Sequence, residues 1–120
     1  MIVTFYNKDH EDAFDDVINR MKSQDCYHQA IAYLITLDTV CRHHIEDLYD
    51  FKQDIMLFGG LKQAWQTGTS LRTTRLALNL WVGFVDDDPR RSTPEDLFCC
   101  SYAPYYCEAI KLRYPEYMSK

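Results

Sequence analysis

The sequence lacks the segments that mark membrane and secreted proteins. It contains no uninterrupted run of about eighteen apolar residues, which is the length that crosses a bilayer. The segment from Met1 to Asn7 leads straight into charged residues, without a basic region or a cleavage site, so we expect no secretory signal. We therefore expect a cytoplasmic protein without a membrane partner.

The sequence also lacks the motifs that catalysis and cofactor binding require. It has no Gly-x-Ser-x-Gly elbow, no Gly-x-x-x-x-Gly-Lys-Ser/Thr loop and no Gly-x-Gly-x-x-Gly turn. Its five cysteines are odd in number and never show the Cys-x-x-Cys spacing, which favours reduced thiols over a disulfide framework. We therefore expect a protein that is not an enzyme and holds no cofactor.

Two segments are rich in groups that bind metals but do not form a metal-binding pattern. His43, His44 and Asp47 are close together, yet the His-Glu-x-x-His arrangement is absent. The run 86–88 consists of three consecutive aspartates, whose carboxylates point in different directions on any backbone. We expect a solvated helix face and a solvated loop at these places, and no bound metal.

Basic residues are in the minority. The chain has 13 Lys and Arg against 18 Asp and Glu, a formal net charge of −5. Affinity for duplex nucleic acid comes mainly from Lys and Arg that neutralise phosphates, so this balance disfavours a duplex partner. A nucleotide-sized ligand or a protein partner stays compatible with it.

The composition is otherwise that of a globular protein. It is 47% apolar and 26% charged, and 120 residues suffice for one hydrophobic core, so we expect a single domain over 1–120. Nine tyrosines, six phenylalanines and two tryptophans exceed what so small a core hides easily. This surplus predicts an exposed aromatic surface and favours a homo-oligomer.

Hydrophobic periodicity predicts a mainly α fold, a single compact domain of about five to six helices. Asn7 is suited to cap the first helix, and Gly83 to end the fourth. Pro94 and Pro104 mark two further helix starts. A short strand over 2–6 is also compatible with the β-branched and aromatic residues there. Apolar residues recur at helical spacing over 8–22, 27–37, 39–49 with a continuation towards 57, and 71–82.

The most informative segment is the start of the helix predicted at 71–82. The free N–H groups and the partial positive charge of a helix N-terminus favour an anion, and the hydroxyls of Thr67, Thr69 and Ser70 can assist. Arg72 and Arg75 then share a narrow polar stripe with Asn79 on an otherwise apolar helix.

Two interpretations of these arginines stay open, because a buried guanidinium requires acceptors. Acids of other helices can supply them, or a phosphate-bearing ligand can. Tyrosines around Pro104 have two interpretations as well, since they can pack in a core or dimer contact, or stack on a nucleobase. The ligand site predicted by the second interpretation comprises Trp65, Thr67, Thr69, Ser70, Arg72, Arg75, Asn79, Tyr102 and Tyr105.

Four segments carry a resemblance to a known family. They are Tyr49-Asp50-Phe51, the run 65–80 from Trp65-Gln66-Thr67-Gly68-Thr69 to Asn79-Leu80, the run Phe98-Cys99-Cys100-Ser101-Tyr102-Ala103-Pro104-Tyr105, and the run 108–117 that ends in Tyr114-Pro115-Glu116-Tyr117. Through them the chain resembles an uncharacterised domain-of-unknown-function family of small proteins from Gram-positive bacteria, their phages and mobile elements. The resemblance implies no catalytic or binding residue, since the family has no assigned activity.

The setting that this resemblance implies is conflict between phage and host. A protein encoded by a phage would then be located in the cytoplasm of the host cell. It leads us to expect a non-catalytic accessory protein that sequesters a phosphate-bearing nucleotide signal, acting as an anti-defence sponge. The alternative is a stoichiometric inhibitor that binds a host defence protein, in the manner of an anti-CRISPR or a nucleic-acid mimic.

Overall fold

The computed structural model describes residues 2–118, and helices dominate this part of the chain. The mainly α prediction is confirmed. Four helices are long and four are single turns. In chain order the elements are α1 (Lys8–Arg20), α2 (Cys26–Leu37), α3 (Thr39–Arg42), α4 (Ile45–Leu48), β1 (Tyr49–Asp50), β2 (Ile55–Met56), α5 (Gly68–Val82), α6 (Pro94–Leu97), α7 (Ala103–Arg113) and α8 (Pro115–Met118), with 3-10 turns at Phe58–Lys62 and Pro89–Ser92.

Helix α2 lies at the centre of the molecule. Every residue from Ala30 to Leu37 is buried. A helix that is apolar on all sides can be covered only by several neighbours, and α1, α5 and α7 pack around it. Within 2–118, no helix is long and apolar enough to span a bilayer.

The long helices begin and end where local chemistry predicts. The Asn7 side chain accepts a hydrogen bond from the His10 N–H at 2.9 Å, and Asp25 accepts from the His28 N–H at 3.0 Å. Gly83 follows α5 with a φ of 74°, the left-handed conformation that glycine adopts without steric cost.

Two predicted elements are wrong. Residues 2–6 form no strand; instead Phe5 packs against the Tyr33 ring at 5.7 Å, and the Tyr33 hydroxyl donates to the Thr4 carbonyl at 2.6 Å. The third predicted helix breaks into α3, α4 and the antiparallel hairpin β1–β2, in which Tyr49 pairs with Met56. Asp54 turns this hairpin with a φ of 61°, which a continuing helix cannot contain.

His10 is a buried histidine whose hydrogen bonds fix its protonation state. The Tyr6 N–H donates to Nδ1 at 3.0 Å, so Nδ1 carries no proton, and Nε2–H therefore donates to the Tyr33 carbonyl at 2.9 Å. Burial, assisted by the charge of Arg42, lowers the pKa of His10 to about 4. The neutral ring is thus part of the fold.

Acid is expected to destabilise the protein through His10. Its folded pKa lies below the unfolded value of 6.5, so the unfolded chain binds more protons as the pH falls from 6.5 towards 4. The loss of stability at pH 5 is on the order of 2 kcal/mol, measurable by urea unfolding at several pH values. His10→Gln should lose this part of the pH dependence, whereas the exposed His43→Gln should keep it. Equal profiles for the two variants would contradict the assignment.

Candidate functional site

The start of α5 is capped by its own side chains. The Thr67 hydroxyl accepts from the Ser70 N–H at 3.1 Å, and the Ser70 hydroxyl accepts from the Thr67 N–H at 2.7 Å. Ser70 also donates to the Gln66 side chain at 2.5 Å, and the Thr69 carbonyl accepts from the Thr73 hydroxyl at 3.0 Å. The hydroxyls of Thr67 and Ser70, which we expected to hold a phosphate, therefore form a capping box.

Trp65 anchors the preceding loop on α4. Its ring stacks on His44 with centroids 4.3 Å apart and planes 7° apart, and its indole N–H donates to Asp47 at 2.9 Å. One face of the indole is thus covered by an imidazole. His44 and Asp47, which we expected on a solvated helix face, take part in tertiary contacts.

The polar stripe of α5 holds the segment 84–96, which comprises the loop after the helix and most of α6. Arg75 is only 9% exposed and pairs with Asp86 at 3.0 Å. Arg72 donates from Nε to the Asp96 carbonyl at 2.8 Å, and the Asn79 amide donates to the Phe84 carbonyl at 2.9 Å. The three side chains share one stripe, as predicted, and residues of the same chain supply their acceptors.

Tyr102 and Tyr105 lie at the opening of α7, against the N-terminal segment. Their rings contact Tyr6 edge to face, with centroids 5.5 and 5.1 Å apart. Tyr102 also lies 6.3 Å from Tyr106, which is buried. These contacts are aromatic packing, one of the two interpretations left open.

The structure therefore distributes the predicted ligand residues over four places. The hydroxyls lie at the start of α5, and Trp65 lies on α4. Arg72, Arg75 and Asn79 lie against the chain that follows α5, and the two tyrosines lie beside Tyr6. Nucleotide binding stays a prediction, although residues of the same chain already contact Ser70, Arg72 and Arg75.

A second cluster surrounds His28, in the first turn of α2. Its Nδ1 lies 2.6 Å from Asp25 and its Nε2 lies 2.9 Å from Asp54, and the Tyr49 hydroxyl donates to Asp54. Ionised carboxylates only accept hydrogen bonds, so both ring nitrogens carry protons and the imidazole is positively charged. We call Asp25, His28, Tyr49 and Asp54 the His28 network.

Burial and charge oppose each other in this network. Burial alone would lower the pKa of His28, but the hydrogen bonds and charges of Asp25 and Asp54 outweigh it and raise the pKa. Burial would likewise raise the pKa values of both aspartates, yet hydrogen bonds from His28, and from Tyr49 to Asp54, leave them lowered. The network is therefore a set of ion pairs that joins α2 to the hairpin.

Arg113, at the end of α7, is held between aromatic rings. Its guanidinium carbon lies 3.7 Å from the centre of the Tyr27 ring and 4.5 Å from that of Tyr114. Its Nε donates to the Leu80 carbonyl at 2.8 Å, and within residues 2–118 it has no ion pair. Stacking fixes an arginine in place without neutralising it.

Two hollows flank this stack on the surface. One, of about 320 Å³, is lined by Asp25, Tyr27, His28, Trp81 and Val82. The other, of about 410 Å³, is lined by Val3, Cys26, Gln29, Leu112 and Pro115. Exposed apolar side chains surround them, Val82 being 55% exposed. We call the surface of Tyr27, Trp81, Val82, Arg113 and Tyr114 the Tyr27 face.

The described part of the chain shows no metal-binding cluster and no disulfide. Residues 2–118 contain no cluster of three or more His, Cys, Asp or Glu that could hold a metal ion. All five cysteines are free thiols, and Cys41 is the buried one.

The fold defines a small mainly α protein built around one buried helix, with an aromatic surface at the exposed end of that helix. The chain belongs to the family of unknown function DUF6075, which matches residues 1–120. The prediction of an uncharacterised family is thereby confirmed. No curated protein and no solved structure matches the chain.

The pairing of Arg75 with Asp86 can be measured by a double-mutant cycle. We expect Arg75→Ala and Asp86→Ala to show a coupling of about 1 kcal/mol in the free energy of unfolding, because the guanidinium is nearly buried. The exposed pair Arg20–Glu46, also joined across two elements at 3.2 Å, is the control and should couple much less. Independent effects of the two Arg75 and Asp86 substitutions would show that the pair contributes nothing.

The His28 network predicts a second pH dependence. Because the folded pKa of His28 is raised, its stabilisation is present below the unfolded value of 6.5 and is lost as the pH rises through the folded pKa. The stabilisation contributed by Asp25 and Asp54 is lost as the pH falls below 3.8 through their folded pKa values. His28→Gln should cost about 2 kcal/mol at pH 5.5, from charge-assisted hydrogen bonds, and less at pH 9. Urea unfolding of variant and parent at both pH values measures this difference, which a merely steric role would leave constant.

Proposed function

We propose that the protein acts without catalysis, by binding another protein stoichiometrically through the Tyr27 face. The main support for this proposal is the ordered guanidinium of Arg113 within the Tyr27 face. Tyrosine, tryptophan and arginine are the residues that most often dominate the binding energy of protein interfaces. Arg113 is already ordered by Tyr27 and Tyr114, so binding would immobilise little further side-chain freedom.

The charge distribution supports a partner with a basic surface. The formal net charge is −5. On α1, the carboxylates of Asp9, Asp12, Asp15 and Asp16 are exposed. Charges of this kind steer a basic partner towards the protein. In the phage setting that the sequence resemblance implies, that partner is a host defence protein in the cytoplasm, and the protein described here is its inhibitor.

Binding is expected to depend on Tyr27 and Arg113. Tyr27→Ala and Arg113→Ala should each weaken the complex at least about tenfold, the effect of losing an interface hot spot. The matched control is Tyr6→Ala, since Tyr6 is 44% exposed against 39% for Tyr27 but lies at the opposite end of α7. The partner is captured from host lysate, and its affinity for each variant is then measured by calorimetry together with the stoichiometry.

Each of three other results would contradict this proposal and support a different one. A partner lost with Tyr6→Ala but kept with Tyr27→Ala would locate binding elsewhere. A nucleotide released on heat denaturation, and absent from Arg72→Ala, would support sequestration at the predicted ligand site. Light scattering that gives a dimer for the parent and a monomer for Tyr27→Ala would assign the Tyr27 face to self-association.

A further inference from the structure

The His28 network borders the Tyr27 face. The His28 imidazole lies edge-on to Trp81, with centroids 5.2 Å apart and planes 88° apart, and the Tyr49 ring lies 6.1 Å from the same indole. His28 also lines the hollow beside Tyr27. The position of Trp81 within the Tyr27 face therefore depends on contacts with two members of the network.

The bridge from α2 to the hairpin needs a protonated His28. In the charged imidazole, Nδ1–H donates to Asp25 at 2.6 Å and Nε2–H donates to Asp54 at 2.9 Å, while Asp54 also accepts from the Tyr49 hydroxyl. A neutral imidazole has one N–H and one lone pair, so it can donate to only one of these carboxylates. The other carboxylate would face the lone pair and be repelled.

Of the two carboxylates, that of Asp54 is the more easily released. Asp25 caps α2 by accepting from the backbone N–H of His28 at 3.0 Å, a bond that does not involve the imidazole. Asp54 belongs to a hairpin with two residues in each strand, and its φ of 61° is uncommon for a residue other than glycine. Deprotonation of His28 should therefore free the hairpin turn 51–54 and leave the start of α2 in place.

The remaining charged groups near His28 do not substitute for its proton. Lys22, in the chain before α2, attracts Asp54 by its charge, and its Nζ donates to a carbonyl of the turn at 2.7 Å in an exposed hydrogen bond. Helix α5 contributes the uncharged ring of Trp81, and Arg113 of α7 stacks on the neighbouring tyrosine. The buried contact between α2 and the turn is thus made by the imidazolium.

The same contacts determine the pH range. Burial lowers the pKa of His28, but its hydrogen bonds to Asp25 and Asp54 and their charges outweigh burial and raise the pKa above 6.5. The closed turn is therefore favoured below pH 6.5 and is lost as the pH rises through this raised pKa.

We propose that the Tyr27 face is regulated by pH, being complete while His28 is protonated and losing its support at Trp81 when the turn 51–54 separates from α2. The inference rests on the proposed function, because it states how binding at that same face is regulated. Rising pH should therefore weaken the complex.

The test measures opening of the turn in the free protein. The Asp54 amide, which donates to the Asp50 carbonyl at 2.7 Å, reports on the turn, and the Tyr106 amide in α7, bonded at 2.9 Å, is the control. Hydrogen exchange is followed by NMR from pH 6 to pH 9 and corrected for its intrinsic base catalysis. Opening at Asp54 should rise about tenfold or more, because a charge-assisted hydrogen bond is lost, and opening at Tyr106 should stay constant. Equal pH dependence at the two amides would overturn the inference.

Two substitutions distinguish regulation by His28 from a hairpin that is merely weak. His28→Gln removes the charge and should leave the turn open at both ends of the pH range. Asp54→Asn should keep it closed throughout, because the asparagine amide can donate to neutral His28 and asparagine also tolerates a positive φ. An Asp54→Asn turn that opens with pH as the parent turn does would refute the inference.

These measurements need no partner, so they separate the two proposals. If opening does not depend on pH while Tyr27→Ala still abolishes the complex, this inference fails and the proposed function stands. If the turn opens as expected but the complex keeps its affinity from pH 6 to pH 9, the network does not regulate the Tyr27 face and the inference also fails. If Tyr27→Ala leaves the complex intact, the proposed function fails, whatever the turn does.

Discussion

The complete burial of α2 is the constraint on which the rest of the structure depends. From Ala30 onward no residue of this helix reaches the surface, so three helices must surround it. Only its first turn remains in contact with solvent, and the surface chemistry of α2 is confined there. Two residues of that turn join it to distant parts of the chain. His28 pairs with Asp54 in the hairpin, and Tyr27 contacts Arg113 in α7 and Trp81 in α5.

The parts of the fold that depend on local sequence signals were predictable. Helical spacing, the caps at Asn7 and Asp25 and the glycine at 83 are short-range signals, and the four long helices lie where these signals indicate. The hairpin was not predictable in this way, because its turn residue Asp54 adopts a left-handed conformation while its side chain bonds His28. A contact between residues so far apart in sequence overrides the local helical pattern.

In the candidate site too, the sequence predicts which residues share a helix face but not which residues they contact. The stripe of Arg72, Arg75 and Asn79 follows from helix geometry, but periodicity does not say which acceptors the stripe meets. Sequence reasoning missed the Tyr27 face, since Tyr27 and Arg113 are adjacent only after α2 and α7 have packed. The adjacency of Arg113 to Tyr114 and the Asp25-x-x-His28 spacing were the available signals, and both are common in helices that bind nothing.

Arg75 and Arg113 differ in what they can do for a ligand. Arg75 is ion-paired within the fold, whereas Arg113 is stacked on aromatic rings. Arg75 already has a carboxylate, so an incoming anion must displace Asp86 and leave that acid unpaired, at a cost in free energy. Arg113 contacts two rings, one carbonyl and, at 4.0 Å, the Cys26 sulfur, and a new acceptor would add to these contacts without breaking an ion pair. Binding of an acceptor is therefore less costly at Arg113 than at Arg75, which favours the proposed Tyr27 face over a site that depends on Arg75.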